Sequence, residues 1–119
     1  MKMPKPSEED RERFRSLVPD DPRVEIKPMF GQLAAFVNAN MFMGLFGSTI
    51  GLRLPEDERE RLLAEDGAGP FGPEERPMGG YVTIPGRWLA STGLAEEWVA
   101  NALAYTATLP PKAPKKRKA

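Results

Sequence analysis

Nine carboxylates, Glu8, Glu9, Asp10, Glu56, Asp57, Glu58, Glu60, Glu96 and Glu97, stand in three short clusters. Clustered carboxylates are what glycosidic acid–base chemistry and hard-metal coordination need. Each cluster here opens a segment whose apolar residues recur at helical spacing, so attraction to the positive helix end and solvation account for them. Neither a metal site nor an acid–base pair is expected. Lys27, Arg53 and Tyr81 are the other groups suited to polar chemistry, and each reads as a strand residue at the margin of a core. With no histidine and no cysteine in 119 residues, the commonest general base, the commonest metal ligand and the thiolate nucleophile are all missing. The chain reads as a non-enzyme with no catalytic residue.

Three further features could bind something. Gly67-Ala68-Gly69-Pro70-Phe71-Gly72 has the glycine spacing of a dinucleotide fingerprint. That fingerprint works by bringing a strand-to-helix turn close to a pyrophosphate. Here a charged helix precedes the glycines and Pro73-Glu74-Glu75-Arg76-Pro77 follows them, so no nucleotide and no cofactor are expected. Lys112, Lys115, Lys116, Arg117 and Lys118 hold 5 of the 17 basic residues, which leaves 12 basic against 17 acidic in residues 1–109. Such a tail suits weak, sequence-blind contact with nucleic acid phosphates. Without interleaved aromatics it lacks the stacking groups of single-strand binders. Met41-Phe42-Met43 is the third feature, and its reading depends on the strand that carries it.

The elements that must position these groups follow from periodicity. Ser7 caps a helix carrying Phe14, Leu17 and Val18. Residues 24–27, 33–37, 41–46 and 50–54 read as strands, and the short joints Asn38-Ala39-Asn40 and Gly47-Ser48-Thr49 favour sequential antiparallel hairpins. A helix runs from Pro55 through Leu63, a Gly/Pro-rich loop spans 67–80 with Phe71 and Met78 as anchors, and residues 81–84 form a further strand. The last helix, from Gly93 to about Leu109, is the main one on the sheet, with Trp98 and Leu103 buried against it. Strict alternation in 41–46 sends Met41, Met43 and Leu45 toward the helices and leaves Phe42 and Phe46 on the other face. That second face needs a cover: another segment, a protein partner, or a second copy of the chain, with Phe42 and Phe46 as the contact pair.

Composition agrees with one small domain. An apolar share of 40% with 29% charged residues is ordinary for a globular protein. The longest apolar run, 41–47, falls far short of the roughly 20 residues that cross a bilayer. The N-terminus lacks the apolar stretch of a signal peptide, and the absence of cysteine fits the cytoplasm. The expected organisation is a single α+β domain over 1–109, a two-layer antiparallel sheet with flanking helices, and a disordered tail over 110–119.

Met29-Phe30-Gly31, the hairpin Val37-Asn38-Ala39-Asn40-Met41-Phe42, Leu52-Arg53, Pro70-Phe71, Arg76-Pro77-Met78, Tyr81, Trp98, Ala102-Leu103-Ala104-Tyr105 and Leu109-Pro110-Pro111-Lys112 together resemble the TfoX/Sxy N-terminal domain family. The resemblance runs from about Val24 to Lys112. It implies an α+β domain in the style of type III secretion chaperones and a link to regulation of natural competence, where full-length members act as transcriptional co-activators. The expectation is a stand-alone N-terminal domain, since the chain has no room for the family's second domain. Gln32 stands where the family usually has glycine, and Ala39 where glycine is common in the hairpin. The resemblance supplies no catalytic residue.

Overall fold

A computed structural model describes residues 5–29, 31–72, 78–90 and 93–110. Ser7 opens α1, Glu8–Leu17: its hydroxyl accepts from the Asp10 amide at 3.0 Å, and the Asp10 carboxylate accepts from the Ser7 amide at 2.9 Å. One reciprocal pair thus satisfies two donors that helix geometry would orphan. The Ser7 amide bond also holds the Asp10 carboxyl below its ordinary pKa. After the helix, side-chain and backbone bonds from Arg23 hold the Asp21 carboxyl down to about 2 and close the turn into the sheet.

The sheet has six strands: β1 (Val24–Met29), β2 (Gln32–Val37), β3 (Asn40–Phe46), β4 (Thr49–Arg53), β5 (Gly69–Pro70) and β6 (Tyr81–Thr83). Their spatial order is β1-β2-β3-β4-β6-β5, and every neighbouring pair is antiparallel. The first four strands are a meander, as the short joints dictate. In the β2–β3 turn Asn38 and Ala39 both sit in the left-handed region, at φ 52° and 65°. Asparagine tolerates that conformation, whereas alanine carries a cost of about 1–2 kcal/mol. Ala39→Gly should therefore raise stability, by up to about 1 kcal/mol once the looser unfolded chain is subtracted, and a urea midpoint measures it.

The helices α1, α2 (Glu56–Leu63) and α3 (Gly93–Ala107) cover one face of the sheet, with a 3-10 turn at Gly86–Leu89 beside them. Phe14 and Leu17 of α1, Leu62 of α2 and Val99, Ala102 and Leu103 of α3 share one core with Leu33, Val37, Leu45, Ile50, Leu52 and Val82 of the sheet. The fold is two-layer α+β. Pro55 proves to be the residue just before α2, not its first helical position. The asparagine amides of the β2–β3 hairpin tie it to the end of α3: Asn38 Nδ2 donates to Ala107 O at 3.4 Å and Asn40 Nδ2 to Pro110 O at 3.0 Å.

Two expectations about the core are overturned. Leu103 is buried as anticipated, but Trp98 is only half-buried at the core margin, with the Arg61 guanidinium 5.4 Å from its ring centroid. The buried tryptophan is Trp88, 4% exposed, on the 3-10 turn. The reason lies in α3, whose fully buried positions are Ala95, Val99, Ala102 and Thr106. Small residues let the helix approach the sheet closely, which leaves no room there for an indole.

The second correction concerns Phe42, which is wholly buried in the main core and not on the uncovered face. Between Ala35 and Phe36 the β2–β3 register slips: Met43 pairs with Ala35 and Met41 with Phe36, so Phe42 faces no partner of its own. This β-bulge breaks the alternation within β3. Phe42 joins Met43 and Leu45 under the helices, and Met41 moves to the opposite face beside Phe36. Phe46, beyond the bulge, does lie on that opposite face, half-buried.

Candidate functional site

The face away from the helices is built from rows of paired residues. Lys27, Ala34, Gly44, Gly51, Thr83 and Gly69 run across all six strands, with Glu25, Phe36 and Met41 on one side of that row and Arg53 opposite Tyr81 in the same direction. Lys27, Arg53 and Tyr81, the groups singled out for polar chemistry, thus share one surface. Lys27 and Arg53 do not meet, since they belong to strands separated by β2 and β3.

Ala34, Gly44 and Gly51 leave a trough in the middle of this face, and Phe71 lies in it, 3% exposed yet outside the main core. A Cβ on Gly44 would come 3.2 Å from Phe71 Cζ and 3.3 Å from Met41 Cε, and a Cβ on Gly51 would overlap the Phe71 ring. Glycine inside a strand commonly marks such a close approach. Phe71 is in turn edge-on to Phe46 and tilted against Tyr81, at 6.2 Å between centroids in each case. The result is an aromatic row, Phe46, Phe71 and Tyr81, laid over a floor of small residues. The chain itself supplies one of the covers this face was expected to need. Gly51→Ala should cost about 1–3 kcal/mol through overpacking at that ring, and a denaturant melt beside Gly69→Ala, a strand position where an added Cβ meets nothing within 4 Å, separates the steric effect from a general glycine effect.

Tyr81 reaches across β4, its hydroxyl donating to Met41 O at 2.9 Å. Burial raises its pKa, with the charge of Arg53 pulling the other way, so the phenol stays neutral and acts as a fastener. Gln32 is buried and its Oε1 accepts from the Gly47 amide at 2.9 Å, joining the β1–β2 end of the sheet to the β3–β4 turn. Lys27 Nζ lies 5.4 Å from the Phe36 centroid and 3.7 Å from Glu25 Oε1.

A cleft of about 450 Å³ opens beside the aromatic row, between the β3–β4 turn and residues 67–72, lined by Phe46, Ser48, Thr49, Pro70, Thr83 and glycines 67, 69 and 72. Its threonine hydroxyls are engaged: Thr49 donates to Phe46 O at 2.7 Å and Thr83 to Pro70 O at 2.9 Å. The dinucleotide-like glycine spacing has a local explanation here. Gly67 and Gly72 adopt φ of 95° and 100° in turns, and Gly69 pairs with Thr83 in the sheet. Of the clustered acids, Glu8, Glu9 and Asp10 occupy the first turn of α1, Glu56, Asp57 and Glu58 that of α2, and Glu96 that of α3.

Phe30, residues 73–77 and the tail with Lys112, Lys115, Lys116, Arg117 and Lys118 lie outside the described residues. Among the described residues no helix is long and apolar enough to cross a membrane.

A family model described as the TfoX N-terminal domain matches residues 8–106. The chain belongs to that family. The match takes in α1, the whole sheet and nearly all of α3, so it spans both layers of the fold. No curated protein matches the chain in sequence. Within this TfoX N-terminal domain, Gln32 and Ala39 have opposite consequences. Gln32 gains a buried hydrogen bond, while Ala39 is held in a conformation glycine would adopt freely.

Proposed function

We propose that this TfoX N-terminal domain is a non-enzymatic module of competence-type transcriptional regulation, and that it binds a protein partner through the sheet face opposite its helices. The aromatic row Phe46, Phe71 and Tyr81 carries this reading. Phe46 and Tyr81 are half-buried on a face to which no described helix is packed, with Met41 beside them as an adaptable thioether and Arg53 as a charged rim. The absence of histidine and cysteine supports a role without catalysis. Phe42 has no direct part in the contact, because it is inside the core.

Phe46→Glu should leave the thermal midpoint within a few degrees of wild type, since the ring is partly solvated. The same change should abolish capture of proteins that the wild-type domain retains from a lysate. Retention of the same proteins by Phe46→Glu, with the fold intact, would remove this face from consideration.

Charge segregation favours a second reading, association with nucleic acid through Lys112, Lys115, Lys116, Arg117 and Lys118, because the rest of the chain is acidic. Deleting 112–119 should then abolish duplex binding at unchanged stability. With five cations, log affinity against log salt has a slope no steeper than about −4.5.

A further inference from the structure

We propose that β1 is a self-pairing edge: two copies of the chain join antiparallel through it, with Ile26 opposite Ile26 of the second copy. β1 ends the sheet, and Glu25, Ile26, Lys27 and Pro28 along it are exposed, Ile26 at 38%. Its outward-pointing backbone groups follow from the register. Met29 and Gln32 close a two-residue turn and so form a hydrogen-bonded pair, which turns the groups of Lys27 and Glu25 toward β2 and those of Val24, Ile26 and Pro28 outward. The Val24 amide confirms the phase, since it bonds outside the ladder to Asp21 O at 2.9 Å. Proline has no amide hydrogen. The outward donor left on this edge is therefore the Ile26 N–H.

A two-fold pairing centred on Ile26 uses that donor and its carbonyl twice, once from each copy. It places Glu25 of each copy opposite Lys27 of the other, in the non-hydrogen-bonded pairs where side chains come closest. The two Ile26 side chains, both on the helix side of the sheet, cover each other. The next registers of the same phase fail on charge: centring on Glu25 sets Glu25 against Glu25 and Arg23 against Lys27, and centring on Lys27 sets Lys27 against Lys27. The charges and Pro28 that blunt this edge against unrelated strands thus leave one register open, which is how edge strands gain selectivity. The pairing would extend the sheet face carrying the aromatic row across both copies. It uses none of the residues of that row, so it stands or falls separately from partner binding there.

Sedimentation equilibrium of the full chain from micromolar to millimolar concentration tests it. Wild type should approach twice the monomer mass. Glu25→Lys and Lys27→Glu, both exposed and checked for native circular dichroism, should each stay at the monomer mass because like charges then oppose. An equimolar mixture of the two variants should return to twice that mass, since each copy now complements the other. A wild type that stays monomeric throughout overturns the proposal. So do single variants that dimerise as well as wild type, and a mixture that fails to recover.

Discussion

Phe42→Glu is expected to yield a chain without a cooperative unfolding transition, while Phe46→Glu, four residues along the same strand, unfolds as wild type does. Phe42 is 0% exposed and packed in the core shared by the helices and the sheet. Removing such a ring costs about 3–5 kcal/mol through lost transfer energy and the cavity left behind. A carboxylate in its place must stay charged without a partner or take up a proton, and either adds several kcal/mol. Together these approach or exceed the 5–15 kcal/mol that holds a small domain folded. Far-ultraviolet circular dichroism with a urea titration reads the result. A cooperative, native-like transition for Phe42→Glu would mean that the bulge in β3 does not turn this ring inward.

That pair of residues also marks the limit of what periodicity reveals. The four-strand meander, the capped first helix, the second helix, the strand at 81–84 and the last helix are all legible, because each rests on local spacing and on joints too short for any other connection. The bulge is not legible, because it is a one-residue slip between two strands, settled by how both fit the helices. Strict alternation therefore assigned Phe46 to its face correctly and Phe42 and Met41 incorrectly.

The seat of Phe71 was half visible. Phe71 read as an anchor of the Gly/Pro-rich loop, and Gly44 and Gly51 stand in the middle of strands rich in larger residues, where glycine otherwise weakens pairing. What those signs lacked was direction: they do not say on which face of the sheet the ring would lie. The two-residue strand β5, which carries Phe71 to that place, is too short for any pattern to announce.

Trp88→Ala should be among the most destabilising aromatic truncations, at about 3–5 kcal/mol, and Trp98→Ala should cost no more than about 2 kcal/mol. Trp98 belongs to α3 and Trp88 to the turn packed beside it, so the contrast tests packing and not composition. Trp88 sits on the 3-10 turn within the core and is enclosed by it, so alanine there leaves a cavity that the close-packed layer cannot refill. Trp98 is partly solvated, and what it loses is contact at the core margin and the attraction of Arg61 to its ring, worth about 0.5–1 kcal/mol where exposed. Arg61→Ala should then lose only that smaller part, with no effect on Trp88 fluorescence in the Trp98→Phe background. Denaturant midpoints for the three variants give the ranking. Equal losses for Trp88→Ala and Trp98→Ala would mean that α3 is turned to bring Trp98 onto the sheet, and that its small residues are not what faces β3 and β4.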